Sequence, residues 1–407
     1  MTQSATAVRP WALLAERNFG ALWLAQVVSG FGDRITIIAL ADLTWRLTHS
    51  SLATALAVIV ATVPHALFGF FAGPIADTLG PRRAMVLCDV IRAVTLAAIP
   101  LAVALALPLA VVYVLVLVAT LCTAVFNPAR LSLIPELVPS GQLGTANSLV
   151  LVSDRTVEIV GFAAAGVLVA VVGSAAFYVD AATFVFSAIA LQRIALTEEG
   201  TGEPLSVRSV LRESGTGLRV IRSNAVLYLN MLFSLAAQMS IAVVNTLTPV
   251  FLFRDLRAGP EAFGASEAAI GLGAALFGLL VPLLMARARK GRLVIVGFAV
   301  YAMLLVALSL APGVEVAIAL FALIGMANVL FFIPNMTISQ EHTPAAVRTR
   351  VFSTRIALLN LTWLPVMLAG GALGDVVGAA PLIGVAGIFM LAVALVGALI
   401  PAVRDVQ

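Results

Sequence analysis

Residues 109–129 read LAVVYVLVLVATLCTAVFNPA and contain no charged side chain. A helix needs about 20 consecutive apolar residues to cross the hydrocarbon core of a bilayer, so this stretch is long enough to span it. A strand of a membrane barrel would be about half as long and would alternate apolar with polar residues. Because the stretch is long and continuously apolar, it predicts a membrane-spanning helix.

The rest of the chain repeats this pattern. Of its 407 residues, 61% are hydrophobic and 11% are charged, and the mean hydropathy is +1.09, which excludes an ordinary soluble domain. Twelve candidate spans lie near residues 19–44, 52–75, 84–105, 109–129, 142–170, 173–196, 223–253, 265–286, 293–311, 314–335, 351–373 and 379–402. The predicted fold is therefore an all-α membrane protein with twelve transmembrane helices.

Basic residues predict the orientation, because cytoplasmic loops are enriched in Lys and Arg. With the N-terminus inside, the inner segments hold 18 basic residues and the outer loops hold 3, namely Arg46, Arg254 and Arg257. We therefore expect a multi-pass protein of the cell inner (plasma) membrane with both termini in the cytoplasm. Nucleic-acid binding is disfavoured, since the basic residues are scattered over many loops.

The longest polar stretch, residues 197–222, separates six spans from six. It predicts a cytoplasmic linker with an amphipathic helix, between an N-terminal six-helix domain over 1–196 and a C-terminal one over 223–407. The two halves also echo each other: FNPARLSLIPELVP at 126–139 and FIPNMTISQEHTP at 332–344 each place Pro and Asn at the exit of a fourth span. This echo predicts two pseudo-symmetric domains with a binding site at their interface.

Residues 73–83 read GPIADTLGPRR, in the loop between spans 2 and 3. Gly73 and Gly80 permit close helix approach and a tight turn, and Asp77 can accept hydrogen bonds from an arginine or a helix N-terminus. Arg82 and Arg83 are expected to face the cytoplasm. The segment resembles the G-x-x-x-D-x-x-G-x-R-R signature of the major facilitator superfamily.

The resemblance implies that this loop, together with Arg130, is a conformational latch that stabilises the outward-facing state. The alternative is that the loop only fixes topology. Further residues resemble the branch of drug and macrolide exporters, which is related to siderophore exporters: Gly32-Asp33, Asp89 with Arg92, residues 126–130, Pro135, Asn147, Asp180-Ala181, Pro344, Arg350-Val351-Phe352 and Gly374-Asp375. Residues 161–166, GFAAAG, lack the proline of the antiporter signature, and span 4 lacks the mid-membrane arginine of many drug antiporters.

Five charged residues lie inside apolar spans and are the candidates for ion coupling: Asp33, Arg34, Asp154, Arg155 and Glu158. Each charge costs roughly 2.5–3.5 kcal/mol at the bilayer centre, so each needs an internal partner or a wet cavity. Asp154 and Glu158 are four residues apart and share a helix face. Because two carboxylates in a dry site cannot both ionise at low cost, one of these acids could load and release a proton.

We expect Asp33 to pair with Arg155, and Arg34 with Asp154 or Glu158, and favour Glu158 or Asp33 as the proton carrier. The alternative is a fixed salt-bridge network that holds the first six helices together. Asp180, near the outer start of span 6, is interpreted as an interfacial cap.

The second half is predicted to hold no acid or base at mid-depth, but it contains neutral polar and aromatic residues. Candidates for a substrate cavity are Gln238, Asn245, Asn328, Phe331, Asn360 and Trp363. Such residues suit a large amphipathic substrate, although hydrogen bonding between helices is an equally good explanation.

No ATP-binding G-x-x-x-x-G-K-[ST] loop and no HExxH motif occur in the sequence, so we expect neither an enzyme nor a cofactor or metal site. We predict a monomeric secondary transporter, whose partners are the lipid bilayer, protons and a small amphipathic substrate. It would export hydrophobic or amphipathic compounds by proton antiport with alternating access. The alternatives are an exporter of an endogenous metabolite, siderophore or lipid, and an uncoupled facilitator.

Overall fold

The computed structural model describes residues 13–195, 218–344 and 347–406; at 65–77, 140 and 349 it describes the backbone only. Within these residues the chain is helical and contains no strand. The first half comprises α1 Arg17–Thr48, α2 Ser51–Leu79, α3 Pro81–Ala104, α4 Leu109–Leu137, α5 Leu143–Val172 and α6 Ala176–Gln192. The second half comprises α7 Ala225–Val250, α8 Pro260–Gly278, α9 Val281–Met285, α10 Lys290–Ser309, α11 Val314–Glu341, α12 Arg348–Val377, α13 Ala379–Leu399 and α14 Pro401–Arg404.

Every predicted span therefore contains a helix. In the part of the chain that the structure describes, nine segments are long and apolar enough to cross a membrane. One of these segments, Leu143–Gln192, contains both α5 and α6. The all-α membrane fold is confirmed, while the number of twelve crossings stays a prediction.

Two helices continue past the point where the sequence predicts their exit. Helix α4 runs through Pro128 and Pro135 to Leu137, and α11 runs through Pro334 to Glu341. Proline removes one backbone hydrogen bond, but in a membrane bundle neighbouring helices and hydroxyl side chains can satisfy the freed group. The prediction that these prolines mark helix exits is wrong, and the polar residues near them lie inside helices.

The helices form two compact units: Met1–Leu43 with Val60–Leu205, and Thr44–Ile59 with Ser206–Gln407. In the first unit α3 packs against α4 and α6. In the second unit α7 packs against α12 and α13, α8 against α11, and α10 against α11 and α13. Most of the predicted linker 197–222 lies outside the described residues, and the domain boundaries stay a prediction.

The second unit includes the end of α1 and the start of α2, residues 44–59. One side chain of α12 holds this hairpin: the carboxylate of Asp375 accepts hydrogen bonds from the Ser50 hydroxyl (2.9 Å) and from the backbone N–H groups of Ser51 and Leu52 (3.2 Å for Leu52). A carboxylate at a helix N-terminus satisfies N–H groups that have no partner within the helix. Asp375 is thus the cap of α2.

Candidate functional site

A cavity of about 390 Å³ lies in the first unit, and residues from all six helices α1–α6 line it. We call it the first-unit cavity. The charged residues on its wall are Asp33, Arg34, Arg92, Arg130, Asp154, Arg155, Glu158 and Asp180. The five residues that the sequence singles out for ion coupling are therefore brought to one cavity, although their function stays a prediction.

Arg92 of α3 is the centre of a buried charged cluster. It forms an ion pair with Asp33 of α1, and its guanidinium lies 3.6 Å from a carboxylate oxygen of Asp89, one turn earlier in α3. The side chains of Arg92 and Asp89 are 4% and 0% exposed, whereas that of Asp33 is 37% exposed, to the cavity. The sequence predicts that Asp33 pairs with Arg155, and this prediction is wrong. Asp33 pairs with Arg92 instead, because α3 supplies a nearer and more buried arginine.

Asp180 of α6 belongs to the same wall and is fully buried. Its carboxylate accepts a hydrogen bond from the Thr36 hydroxyl of α1 and a longer one, 3.3 Å, from Thr183. The interpretation of Asp180 as an interfacial cap is wrong, since α6 turns this residue towards α1. Asp33 and Asp89 thus lie within 4 Å of the Arg92 guanidinium, and Asp180 is a third carboxyl on the same wall without an ion pair among the described residues.

Arg130 joins three helices of the first unit. It donates hydrogen bonds to the Gln26 side chain of α1 and to Asp154 of α5, with a nitrogen–oxygen distance of 3.2 Å to Asp154. The sequence places Arg130 in an inner loop, with the latch residues. Because α4 continues to Leu137, Arg130 lies within the helix and lines the cavity instead.

The remaining predicted coupling residues differ in their partners. Arg155 and Glu158 pair with each other along α5 at 2.7 Å, so Glu158 is not the unpaired acid that the sequence favours. Arg34 forms no ion pair in the part of the chain that the structure describes, and its guanidinium lies over the ring of Phe162, 5.1 Å from the centroid. The predicted pairing of Arg34 with Asp154 or Glu158 is therefore wrong.

A second buried arginine, Arg355 of α12, lies in the second unit. It donates hydrogen bonds to four side chains on two other helices, which are Asn230 (2.7 Å) and Ser234 (2.8 Å) of α7 and Asn335 and Ser339 of α11. Sequence reasoning assigns Arg355 to an inner loop and finds no mid-depth charge in this half. Helix α12 begins two turns before Arg355, at Arg348, so Arg355 lies within a helix and not in a loop. The absence of a charge at mid-depth in this half stays a prediction. The paired polar residues at i and i+4 in α7 and α11 were the available signal.

Comparison with known proteins decides the family. Residues 22–364 match the profile of the Major Facilitator Superfamily. The chain belongs to this superfamily. It is therefore an integral membrane protein and a transporter rather than an enzyme, as the sequence predicts.

Three curated relatives within the superfamily are distant. Macrolide efflux protein A of Streptococcus pyogenes is 23% identical, over 96% of this chain and 97% of that protein. The multidrug efflux pump Tap of Mycolicibacterium fortuitum is 28% identical, over 47% of each chain. The uncharacterized MFS-type transporter YvqJ of Bacillus subtilis is 23% identical over 65% of this chain, and the chain spans 64% of its length, just under two thirds.

Solved structures show the same fold at lower identity. An auto-inhibited POT family peptide transporter superposes with a TM-score of 0.74 at 12% identity, over 96% of this chain and 97% of that chain. At this identity the likeness concerns the fold alone.

The superfamily signature at residues 73–83 forms a sharp turn. Helix α2 ends at Leu79 and α3 begins at Pro81, and Gly80 between them has a φ of +81°, a left-handed conformation that favours glycine. The predicted tight turn is confirmed. Arg82 donates a hydrogen bond to the Ile194 carbonyl at 2.7 Å, and Arg83 is exposed. Residues 73–77 belong to α2, where the structure describes the backbone only, so the side chain of Asp77 is outside the described part and the latch stays a prediction.

The predicted substrate-cavity residues of the second half differ in burial. Phe331 is buried against Phe298 and Tyr301 of α10, with ring centroids 4.8 and 5.6 Å away, and its contact with substrate stays a prediction. Gln238, Asn245, Asn328, Asn360 and Trp363 are half-buried, and their contact with substrate stays a prediction.

Proposed function

We propose that this protein exports hydrophobic or amphipathic compounds through the first-unit cavity, by proton antiport with alternating access. The observation that carries the proposal is the cluster of three carboxyls around Arg92. A buried carboxylate is stable only when it is paired or well hydrogen-bonded, so three carboxyls and one cation leave a carboxyl without an ionic partner. A carboxyl in that position can bind a proton when the cluster rearranges, which is what ion coupling requires.

Within the cluster, Asp33 and Asp180 line the cavity, but the side chain of Asp33 is 37% exposed whereas Asp89 and Asp180 are fully buried. We propose that Asp33 exchanges between Arg92 and a proton, and that Asp180 is the acid that can hold the proton while Asp33 remains paired. Asp154, Arg155 and Glu158 also line the cavity and are proposed to influence the rate of coupling rather than to carry the proton.

Export is supported by the relatives. Macrolide efflux protein A aligns over nearly the whole chain, and Tap, a multidrug efflux pump, aligns over 47% of each chain. The cavity wall is largely polar and charged, but Ile37, Leu96, Val116 and Phe126 supply an apolar part, and an amphipathic compound can contact both kinds of surface.

We further propose twelve crossings, two related six-helix domains, cytoplasmic termini and a monomer. Two polar clusters support the internal relationship. Arg130 joins the first, fourth and fifth helices of the first half, and Arg355 joins α7, α11 and α12, which are the corresponding helices of the second half. Cysteine labelling with a membrane-impermeant maleimide should modify Ala258→Cys from outside and spare Ala288→Cys, in a background with Cys88 and Cys122 replaced by Ser.

The function is tested in proteoliposomes under an imposed pH gradient, with protein-free liposomes as the blank. Three radiolabelled probes cover the charge classes: ethidium as a cation, fusidate as an anion and fusidic acid methyl ester as a neutral compound. We expect gradient-driven accumulation of at least one probe, and its loss in Asp33→Asn and Asp180→Asn. Asp405→Asn removes an exposed, paired carboxylate far from the cavity in sequence and serves as the matched control.

Wild-type transport at the same rate with and without the gradient would overturn proton antiport and favour an uncoupled facilitator. Coupled transport that survives in both variants but is lost in Glu158→Gln would overturn the assignment of the proton carrier to the Arg92 cluster. The carrier would then be Glu158, one of the two acids that the sequence favours.

A further inference from the structure

Arg34 differs from the other arginines of the first-unit cavity. Arg92, Arg130 and Arg155 each have a carboxylate partner within 4 Å. Arg34 lines the same cavity, yet no carboxylate of the described residues reaches it. Its Nε is buried and has no hydrogen-bond partner there. An arginine that is always charged and only partly hydrated is unfavourable unless an anion neutralises it.

The surroundings of Arg34 hold its side chain in one orientation. The guanidinium lies over the ring of Phe162, 5.1 Å from its centroid, and a cation over an aromatic face is attracted by the ring quadrupole. The aliphatic stem packs on Gly161, where an added Cβ would lie 3.1 Å from Cγ of Arg34. A guanidinium next to a ring face still carries N–H donors in its plane, and such donors can bind a carboxylate with two parallel hydrogen bonds.

The two residues that contact Arg34, Gly161 and Phe162, belong to the segment that departs from the antiporter signature. Residues 161–166 keep the first glycine of the signature, but Phe162 follows it where the signature has proline. The glycine gives room for the stem of Arg34, and the phenylalanine supplies the ring beneath its guanidinium. The departure therefore creates a support for Arg34.

We propose that Arg34 is an anion-binding site and that the transported compounds carry a carboxylate beside their apolar body. The proposal rests on the proposed function, since it names the substrate class of the same cavity. The carboxylate supplies the negative charge that the chain does not place beside Arg34, and the apolar body lies against the aliphatic wall of the cavity, at Leu96 and Val116.

The test measures binding to the purified protein at pH 7.5, by scintillation proximity with radiolabelled fusidate and competition by fusidic acid methyl ester. The two compounds differ in the charge of one group. We expect the wild-type protein to bind fusidate roughly tenfold more tightly than the ester, which is the size of one charge-assisted hydrogen-bonded contact. Arg34→Gln should abolish this preference, and Arg34→Lys should keep part of it.

Two further variants guard against a general loss of folding. Phe162→Leu keeps the charge of Arg34 but removes the ring beneath it, so the preference for fusidate over the ester should fall by a smaller factor than in Arg34→Gln. Arg287→Gln removes an exposed arginine of the second unit and should leave the preference unchanged. Equal binding of both compounds by the wild-type protein, or an unchanged preference in a folded Arg34→Gln, would overturn the proposal.

The same probes separate this inference from the proposed function. Gradient-driven transport of ethidium or of the ester, without a preference for fusidate, would leave proton-coupled export standing and overturn the anion site. Fusidate binding that depends on Arg34, with no gradient-driven transport of any probe, would support the anion site and overturn the coupling.

Discussion

Thr36 of α1 donates a hydrogen bond to the carboxylate of Asp180, which lies 144 positions later on α6, and both side chains are buried. Thr36→Val would preserve the shape of this contact but leave a buried carboxylate oxygen without its donor. We expect the free energy of unfolding to fall by about 1–3 kcal/mol. The measurement is denaturant unfolding in detergent, and Thr36→Ser, which keeps a hydroxyl, should stay near wild type. Equal losses in the Val and Ser variants would show that packing, not the hydrogen bond, matters at this position.

The ion pair of Arg92 with Asp33 is predicted to couple the two residues energetically. Arg92→Gln leaves the neighbouring carboxyls without a cation, and breaking a buried pair in this way typically costs about 3–5 kcal/mol. Asp33→Asn in the same chain should restore part of that loss, since it removes a charge that has lost its partner. Unfolding of both single variants and the double variant gives the coupling, which we expect at about 1–3 kcal/mol. Strict additivity would contradict the pairing.

Arg355 is predicted to stabilise the second unit more than any exposed arginine does. Arg355→Gln removes one donor from each of Asn230, Ser234, Asn335 and Ser339, although the two asparagine oxygens keep a serine hydroxyl as donor. Each buried polar group left unsatisfied costs about 1–3 kcal/mol. The exposed Arg287→Gln should change stability by no more than about 0.5 kcal/mol. Similar melting temperatures for the two variants would show that the cluster can rearrange around a missing guanidinium.

Asp375 is predicted to hold the start of α2 in place. Asp375→Ala removes the acceptor of the Ser51 and Leu52 amides, and loss of such a cap costs about 1 kcal/mol, or roughly a fivefold faster local opening. Hydrogen–deuterium exchange of a peptide that covers residues 48–55 should therefore accelerate by that factor.

The matched control for this cap is Asp255, whose carboxylate accepts a hydrogen bond from the Ala380 amide at 3.0 Å at the start of α13. Asp255→Ala should accelerate exchange near residue 380 and leave residues 48–55 unchanged. If Asp375→Ala and Asp255→Ala each accelerate exchange equally at residues 48–55 and near residue 380, the effect comes from a general loss of stability rather than from the individual caps.

Several of these contacts could be anticipated only in part from the sequence. Asp33 and Arg34 stand out, because a charge inside an apolar run has no explanation other than a partner or a cavity. The same argument applies to Arg92, which also lies inside a span, but its acidic neighbours Asp89 and Asp180 could not be assigned to it. The helices are apolar on most of their surface, so their hydrophobic pattern does not define which face turns inwards.

Arg130 and Arg355 illustrate a second reason. Both stand close to a proline or to the predicted start of a span, where the sequence does not tell a helix from a loop, and both were assigned to loops. In the structure α4 continues through Pro128 and Pro135 and α12 begins at Arg348, so both arginines lie within helices. In a membrane bundle neighbouring helices can satisfy the backbone groups that a proline frees, and only the folded bundle supplies such neighbours.

The sequence by itself determined the class and the family of this protein. Long apolar runs can bury their backbone in a bilayer only as helices. Residues 73–83 place a glycine, Gly80, at a turn whose positive φ favours glycine. Tertiary structure decided the partners: which carboxyls lie near Arg92, which polar groups surround Arg355, and that Arg34 has no carboxylate partner among the described residues. These are contacts between residues far apart in the chain, and they depend on the rotation and length of each helix, which local sequence does not encode.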